Sequence, residues 1–283
     1  MKHLVAIGEA LIDFAPQQAG SPIKYTECFL PKVGGAPANV CGAYARLGGR
    51  AVMLTQLGND PFGDKIVEEL ADSGINVDHI SRTDEANTSL AFVALMENGD
   101  REFSFYRKPG ADMLYQPEQV PENVFRDAYA LHFCSVSLGD FPMKGAHKKA
   151  IEYASKAGAV ISFDPNLRPQ LWDEEKLCTA VKEFLPYSDI LKLSDEELFF
   201  ITGKEQIQDA LEDLFDLGIS VVLYTKGSHG AEVYTRKASA SVPGRDKKAV
   251  DTTGAGDGFI GSFLNQLAFD GKSLEDMKQM TSE

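Results

Sequence analysis

The sequence predicts an α/β fold: a mostly parallel sheet with helices on both faces, joined by a small antiparallel β lid. Two patterns carry this reading. Apolar runs of strand length alternate with segments of helical spacing along most of the chain, which is the signature of repeated βαβ units. One region, Thr88 to Tyr106, breaks the alternation and contains no helical pattern.

Taken in order, Leu4–Phe14 reads as a strand, Ala38–Leu47 as a helix and Ala51–Gln56 as a strand. Asp64–Ser73 reads as a helix stopped by Gly74. The runs Ala130–Cys134, Val160–Asp164, Ile190–Leu193 and Ser220–Thr225 are strands. Between them Lys144–Ala157, Glu174–Leu185, Glu196–Thr202 and Ile207–Leu217 are helices. Right-handed crossovers then align the carboxyl ends of the strands along one edge, where ligands of such sheets bind. In the irregular region two strand-like runs flank Glu97-Asn98-Gly99-Asp100, a hairpin-turn signal. Phe103 and Phe105 alternate with Ser104 and Tyr106, and Ile23–Val33 is extended in character. The lid is therefore expected from segments at about 15–33 and 88–112 within one domain spanning residues 1–283.

Composition limits the function classes. A formal net charge of −14 argues against a nucleic-acid or anionic-membrane surface. No apolar stretch is long enough to cross a bilayer, and the amino-terminal residues carry no signal-peptide pattern. Cys28, Cys41, Cys134 and Cys178 lack paired or zinc-like spacing, as expected of reduced thiols in a cytoplasmic protein. Neither G-x-G-x-x-G at the first helix nor G-x-x-x-x-G-K-[ST] is present.

Two segments carry chemistry. In Asp251-Thr-Thr-Gly-Ala-Gly-Asp257 the apolar residues that follow, Phe259, Ile260, Phe263, Leu264 and Leu267, fall at helical spacing. A helix therefore starts near Gly254–Asp257, and its first amides have no intrahelical acceptors. The small residues Gly254, Ala255 and Gly256 let an anion approach those amides closely. Asp257 sits in the first turn beside that anion hole, placed to accept the proton of an attacking hydroxyl. In the second segment, Gly34 and Gly35 precede a helix whose first turn carries Asn39. Close backbone approach and an amide that both donates and accepts suit a polyol.

Gly34-Gly-Ala-Pro-Ala-Asn39 and Asp251-Thr-Thr-Gly-Ala-Gly-Asp257 resemble, in order and separation, the two signatures of the ribokinase-like (PfkB-type) carbohydrate kinases. The resemblance covers nearly the whole chain and is strongest to fructokinases. It implies Asp257 as catalytic base, and Asp13, at the end of Gly8-Glu-Ala-Leu-Ile-Asp13, as a carboxylate for sugar hydroxyls. It brings Arg107 of Phe105-Tyr-Arg-Lys-Pro-Gly-Ala-Asp112 to the sugar. Asn166 and Arg168 of Asp164-Pro-Asn-Leu-Arg168 would meet phosphates and sugar, Arg168 spreading charge on the phosphoryl group. Thr225, Lys226, Gly227 and Gly230 resemble the nucleotide loop, and Lys192 a phosphate contact.

Two departures accompany the match. Ser194-Asp-Glu-Glu197 stands where the family carries Asn-x-x-Glu. Glu197 keeps the position that organises magnesium through water, yet the same string is a helix capping box. The sequence ends at Thr281-Ser-Glu283, so the C-terminal family helices, with part of the adenine wall and of a potassium site, are expected to be absent. Asp251 and Thr253 match the monovalent-cation ligands of the signature. The implied function is ATP-dependent phosphorylation of a primary hydroxyl on a small sugar, with ATP and Mg2+ and with K+ as a further cofactor. Fructose is the first choice and 2-keto-3-deoxygluconate the second. A sugar-binding regulatory protein that has lost catalysis is the reading from another class. A homodimer through the β lid follows from the resemblance alone.

Overall fold

The computed structural model describes residues 2–18, 20–96, 101–171, 173–245 and 252–279. In chain order it forms β1 (His3–Ile7), β2 (Leu11–Pro16), β3 (Phe29–Gly34), α1 (Ala36–Arg46), β4 (Ala51–Leu54), β5 (Gln56–Gly58), α2 (Pro61–Asp72), β6 (Ile75–Asn76) and β7 (Ser81–Thr83). There follow β8 (Leu90–Leu95), β9 (Arg101–Tyr106), β10 (Ala128–Cys134), α3 (Pro142–Lys156), β11 (Val160–Asp164), α4 (Glu174–Phe184), β12 (Ile190–Ser194), α5 (Asp195–Thr202) and α6 (Ile207–Asp216). The chain then makes β13 (Val221–Thr225), β14 (Ala231–Tyr234), β15 (Ser239–Val242), α7 (Ala255–Phe269) and α8 (Leu274–Lys278). Among the described residues no helix is long and apolar enough to cross a membrane.

The main sheet has the order β15-β14-β13-β12-β11-β10-β1-β4-β6. Every pair from β6 to β13 is parallel, so these carboxyl ends share one edge. Strand alternation divides the buried side chains between two cores. Val5, Ile7, Leu131, Phe133, Leu191 and Leu193 pack with α3 to α6 on one face. Leu4, Ala6, Ile190, Val221 and Leu223 pack with α1, α2, α7 and α8 on the other. On that second face four strand positions are polar and buried: His132, Ser162, Asp164 and Lys192. His132 and Ser162 stand opposite each other in register, with Nδ1 and Oγ 3.0 Å apart. Burial and the nearby Lys192 ammonium push the His132 ring down to about 3, keeping it neutral.

The expected strand Leu4–Phe14 is two strands in two sheets. Gly8, at φ 145°, turns the chain out of β1, and β2 joins the four-stranded lid sheet β3-β2-β8-β9. Both outer pairs of that sheet are antiparallel, as expected, while the central β2–β8 pair is parallel. The extended reading of Ile23–Val33 narrows to β3, because Ile23–Tyr25 closes a single 3-10 turn. The turn signal at 97–100 lies outside the described residues. One face of the lid carries Phe14, Phe29, Phe92 and Tyr106, where Phe14 stacks on Phe92 at 4.7 Å and meets Phe62 of α2 edge-on. The opposite face carries Asp13, Val93, Phe103 and Phe105 toward the sheet edge. β14 and β15 add an antiparallel edge that the alternation of strands and helices did not announce.

Helices α1 and α7 bring the two signature segments together, and Gly261 is where they touch. A Cβ there would lie 2.8 Å from both the Ala43 Cβ and the Val40 carbonyl oxygen, too close for any side chain. Gly261→Val is therefore expected to wedge the helices apart and lower stability by about 1–3 kcal/mol. Urea unfolding monitored by circular dichroism checks this; an unchanged midpoint would show that the helices accommodate the methyls.

Candidate active site

A cavity of about 870 Å3 opens between the carboxyl edge of the main sheet and the lid. Its walls come from the β1–β2 junction, the start of α1, the loop after β11 and the start of α7. Asp13, Gly34, Gly35, Asn39, Asn166, Arg168, Lys192, Thr253, Gly254, Gly256 and Asp257 all line it. Residues separated by more than two hundred positions thus meet at one place, and most of the residues anticipated from the sequence are among them.

Asp257 is the centre. It lies in the first turn of α7, whose N-cap Gly254 adopts the left-handed conformation at φ 74°. Its two carboxylate oxygens are held separately. Asn39 Nδ2 donates to Oδ2 at 2.9 Å and Asn166 Nδ2 donates to Oδ1 at 3.2 Å. Asn166 is the one described non-glycine residue at positive φ, 45°, a conformation asparagine tolerates better than most. This bend in the loop after β11 aims its amide at the acid. Burial pushes the Asp257 carboxyl up to about 6, opposed by the Asn39 hydrogen bond and by Arg168 and Lys192, and reinforced by Asp164. An acid so placed is ionised near neutral pH yet basic enough to take a proton.

Asp13 faces the same space from β2. Burial and Asp257 raise its carboxyl to about 6, with Arg168 and Lys32 acting in the opposite sense. Gly34, on the neighbouring strand, makes room for it: a Cβ there would sit 2.1 Å from Asp13 Oδ2. Arg168 is turned over its own loop, its Nη1 donating to the carbonyls of Asn166 and Leu167 at 3.3 and 2.9 Å. That leaves the remaining guanidinium nitrogens for a ligand.

Lys192 projects from β12 toward the start of α7. Its Nζ lies 2.8 Å from Asp164 Oδ2, and both side chains are buried. Burial opposes the charged ammonium, but Asp164 and Glu197 outweigh it and raise its pKa. A Cβ on Gly256 would come within 3.3 Å of Lys192 Cε and Nζ, so the glycine keeps the lysine and the helix start side by side. The amide of Ala255 closes a turn on the Thr252 carbonyl at 3.2 Å, and Gly256, Asp257 and Gly258 line the cavity beyond it. A helix amino terminus, a buried ammonium and a guanidinium therefore converge beside the Asp257 carboxylate, an arrangement suited to a phosphoryl group in transfer.

Several anticipated residues are placed differently. Arg107 does not line the cavity. It is buried, donating from Nε to Asp112 Oδ2 at 2.9 Å and pairing a second time with that carboxylate through Nη2. Glu197 receives the backbone amides of Ser194 and Leu167 at 2.9 and 2.8 Å. It thereby reaches back over the start of α5 as a capping residue and fastens the Asn166 loop. Burial and Asp164 raise its carboxyl. Thr225, Lys226, Gly227 and Gly230 form the next loop along the edge rather than the cavity wall. Thr225 Oγ1 donates to the Leu193 carbonyl at 3.4 Å, and Lys226 pairs with Glu232 at 2.5 Å. Asp251 lies outside the described residues. Glu9 and Asp164 were not singled out beforehand. Their signal was present in each case: a carboxylate at the end of an apolar strand run, where no solvent-exposed position is expected.

The fold, with a carboxylate and cationic groups gathered at one helix start, is that of a phosphotransferase of the α/β kinase type. The chain matches the pfkB family carbohydrate kinases over residues 1–282 and belongs to that family. It is 42% identical over 284 residues to a probable fructokinase-2 of Arabidopsis thaliana, covering 98% of this chain and 85% of that one. Its structure superposes on a fructokinase with bound ATP from Xylella fastidiosa with a TM-score of 0.86 and 35% identity, over 99% of this chain and 85% of that one. A putative ribokinase II from E. coli in complex with ATP and Mg2+ gives 0.88 and 29%, over 98% and 89%.

Space at Gly34 generates a direct test. Gly34→Ala is expected to push the Asp13 carboxylate aside and raise KM for the sugar about tenfold or more, leaving KM for ATP within about twofold. Steady-state kinetics in both substrates measure this; an unchanged sugar KM would remove Asp13 from the sugar site.

Proposed function

We propose that the chain is an ATP-dependent fructokinase, one kinase domain that moves the γ-phosphoryl group of ATP to a primary hydroxyl of fructose. The observation that carries the reading is Asp257 held between Asn39 and Asn166 at the positive end of α7. The sugar hydroxyl oxygen forms the new P–O bond while its proton passes to Asp257. The bond to the bridging oxygen of ADP breaks, and its electrons leave with ADP. Arg168, Lys192 and the α7 start stabilise the charge on the transferring group. Asp13 and Asn39 supply acceptors and a donor for the sugar hydroxyls. The relatives named fructokinases support fructose as the sugar. So does Arg107: its charge is matched by Asp112, so this guanidinium is already engaged and not offered to the carboxylate of 2-keto-3-deoxygluconate.

ATP-bound relatives support ATP and Mg2+ as the donor complex. The residues present fit a metal held mainly through water. Asp164 is buried, with Oδ1 hydrogen-bonded to no protein atom among the described residues. Glu197 retains unused lone pairs beside it. Both would receive hydrogen bonds from the water shell of the ion, which when bound neutralises phosphate charge. A potassium site on Asp251 and Thr253, nucleotide contacts from Thr225, Lys226, Gly227 and Gly230, a cytoplasmic location and a homodimer through the lid belong to the same proposal.

An ADP-release assay across sugars is expected to give turnover with fructose and little with 2-keto-3-deoxygluconate. The reverse result overturns the choice of sugar, and fructose binding without nucleotide binding favours a regulatory protein. Because Asp257 and Asp13 both titrate near pH 6, kcat/KM should fall steeply as pH drops through that value.

Asp257→Asn is expected to abolish turnover and to raise stability at neutral pH. The folded carboxyl titrates near 6 against a usual value of 3.8, so folding favours its protonated form. The associated stability is complete below pH 3.8 and lost as pH rises through 6. The ionised, buried acid then costs up to roughly 3 kcal/mol, which the amide avoids. Thermal melts at pH 8 and pH 4 check this: a gain at pH 8 that disappears at pH 4 is expected, and a variant that keeps near-wild-type kcat refutes the base.

A further inference from the structure

We infer that Glu9 is a positioning residue, the member of a buried hydrogen-bond chain that fixes the lid hinge to the helix carrying the partner of the base. Glu9 follows β1 and is 2% exposed. One carboxylate oxygen accepts from the Ala36 amide at 3.3 Å, at the start of α1, and the other accepts from Ser137 Oγ at 2.9 Å. Helix α1 has no side-chain cap of its own, since its N-cap is Gly35, and Glu9 supplies one from a distant part of the chain.

The chain of contacts continues on both sides. Ser137 Oγ accepts from Arg107 Nη2 at 3.2 Å, and Arg107 Nη1 donates to the Val136 carbonyl at 3.3 Å. The Arg107 guanidinium lies over the Phe141 ring at 5.5 Å and is paired with Asp112, whose other oxygen takes the Ser89 hydroxyl. Ser89 immediately precedes β8, and Arg107 immediately follows β9. Both feet of the lid hairpin therefore stand in this network. On the other side, three residues beyond Ala36, Asn39 donates to Asp257. Ser89, Arg107, Asp112 and Ser137 are all buried. A network so enclosed has few alternative arrangements, because each lost partner strands a buried polar group. The arginine expected to touch sugar instead sets, through Ser137 and Glu9, the seat of α1 and with it the Asn39–Asp257 contact.

This deepens the reading of Asp257 as the base and rests on it. The two are separable, since Asp257→Asn tests the base by activity and the network is tested by titration. The Asn39 hydrogen bond lowers the Asp257 carboxyl pKa, so a loosened α1 must raise it. The Asp257 carboxyl carbon, 13C-labelled and assigned by its loss in Asp257→Asn, is titrated by NMR in the ligand-free protein. Glu9→Gln is expected to raise its midpoint by about half a pH unit or more, in the direction given by Asn39→Ala. The same variant should lower kcat about 10- to 100-fold with KM for ATP unchanged. Ser137→Ala, which cuts the link to Arg107 but leaves the α1 cap, should shift both readouts in the same direction by less, and it serves if Glu9→Gln does not fold. An unmoved midpoint in a folded variant overturns the inference. So does a rise confined to sugar KM, which would make Glu9 a direct sugar ligand.

Discussion

Asp257 is gripped from two sides by asparagine amides that belong to different halves of the fold. Asn39 comes from the helix after the first lid hairpin, and Asn166 from the loop after β11. Neither partner is useful unless α1, α7 and the sheet edge are in register to within a hydrogen bond. The α1–α7 contact at Gly261, the left-handed turn at Asn166 and the cap from Glu9 to Ala36 all serve that register. The geometry around Asp257 is thus a consequence of how α1 and α7 pack together on one face of the sheet and meet the loop at its carboxyl edge.

The same arrangement solves an electrostatic difficulty. The chain carries a net charge of −14 and must receive a highly charged anion. Its answer is local: a helix amino terminus, Arg168 and a buried Lys192 gathered at the cavity. Burying that lysine is tolerable because Asp164 lies 2.8 Å away and Glu197 adds to the compensation. Removing one partner of such a pair leaves an uncompensated charge and typically costs about 3–5 kcal/mol. The raised carboxyls of Asp13 and Asp257 belong to the same balance, since burial that penalises their ionised forms also makes them better proton acceptors.

Much of the frame was legible in advance. The parallel strands β10 to β13 and the helices between them follow from apolar runs and helical spacing, and the helix start at Gly254–Asp257 was located from the spacing of Phe259, Ile260, Phe263, Leu264 and Leu267. What was missed shares one physical character: it depends on contacts between distant segments. Leu4–Phe14 is continuous in pattern, yet one glycine conformation sends its halves to separate sheets. The parallel β2–β8 pair joins strands whose pairing no local turn specifies. β14 and the edge strand β15 are short, with little apolar periodicity to mark them.

The division is sharpest for single residues. The sequence pointed to Asp257, Gly254, Gly256 and Asn39 through two helix starts with small residues and their likeness to a pair of family signatures, and the fold brings all four to one cavity. The sequence named Arg107 by position in a motif, and the fold gave it other partners, Asp112 and Ser137; at Glu197 the fold shows the helix cap that the sequence also offered and adds the Leu167 amide. A side chain's type can be read from the chain. Which of several nearby groups it satisfies is decided by which buried polar atoms would otherwise be left without a partner, and that is fixed only when the whole structure closes.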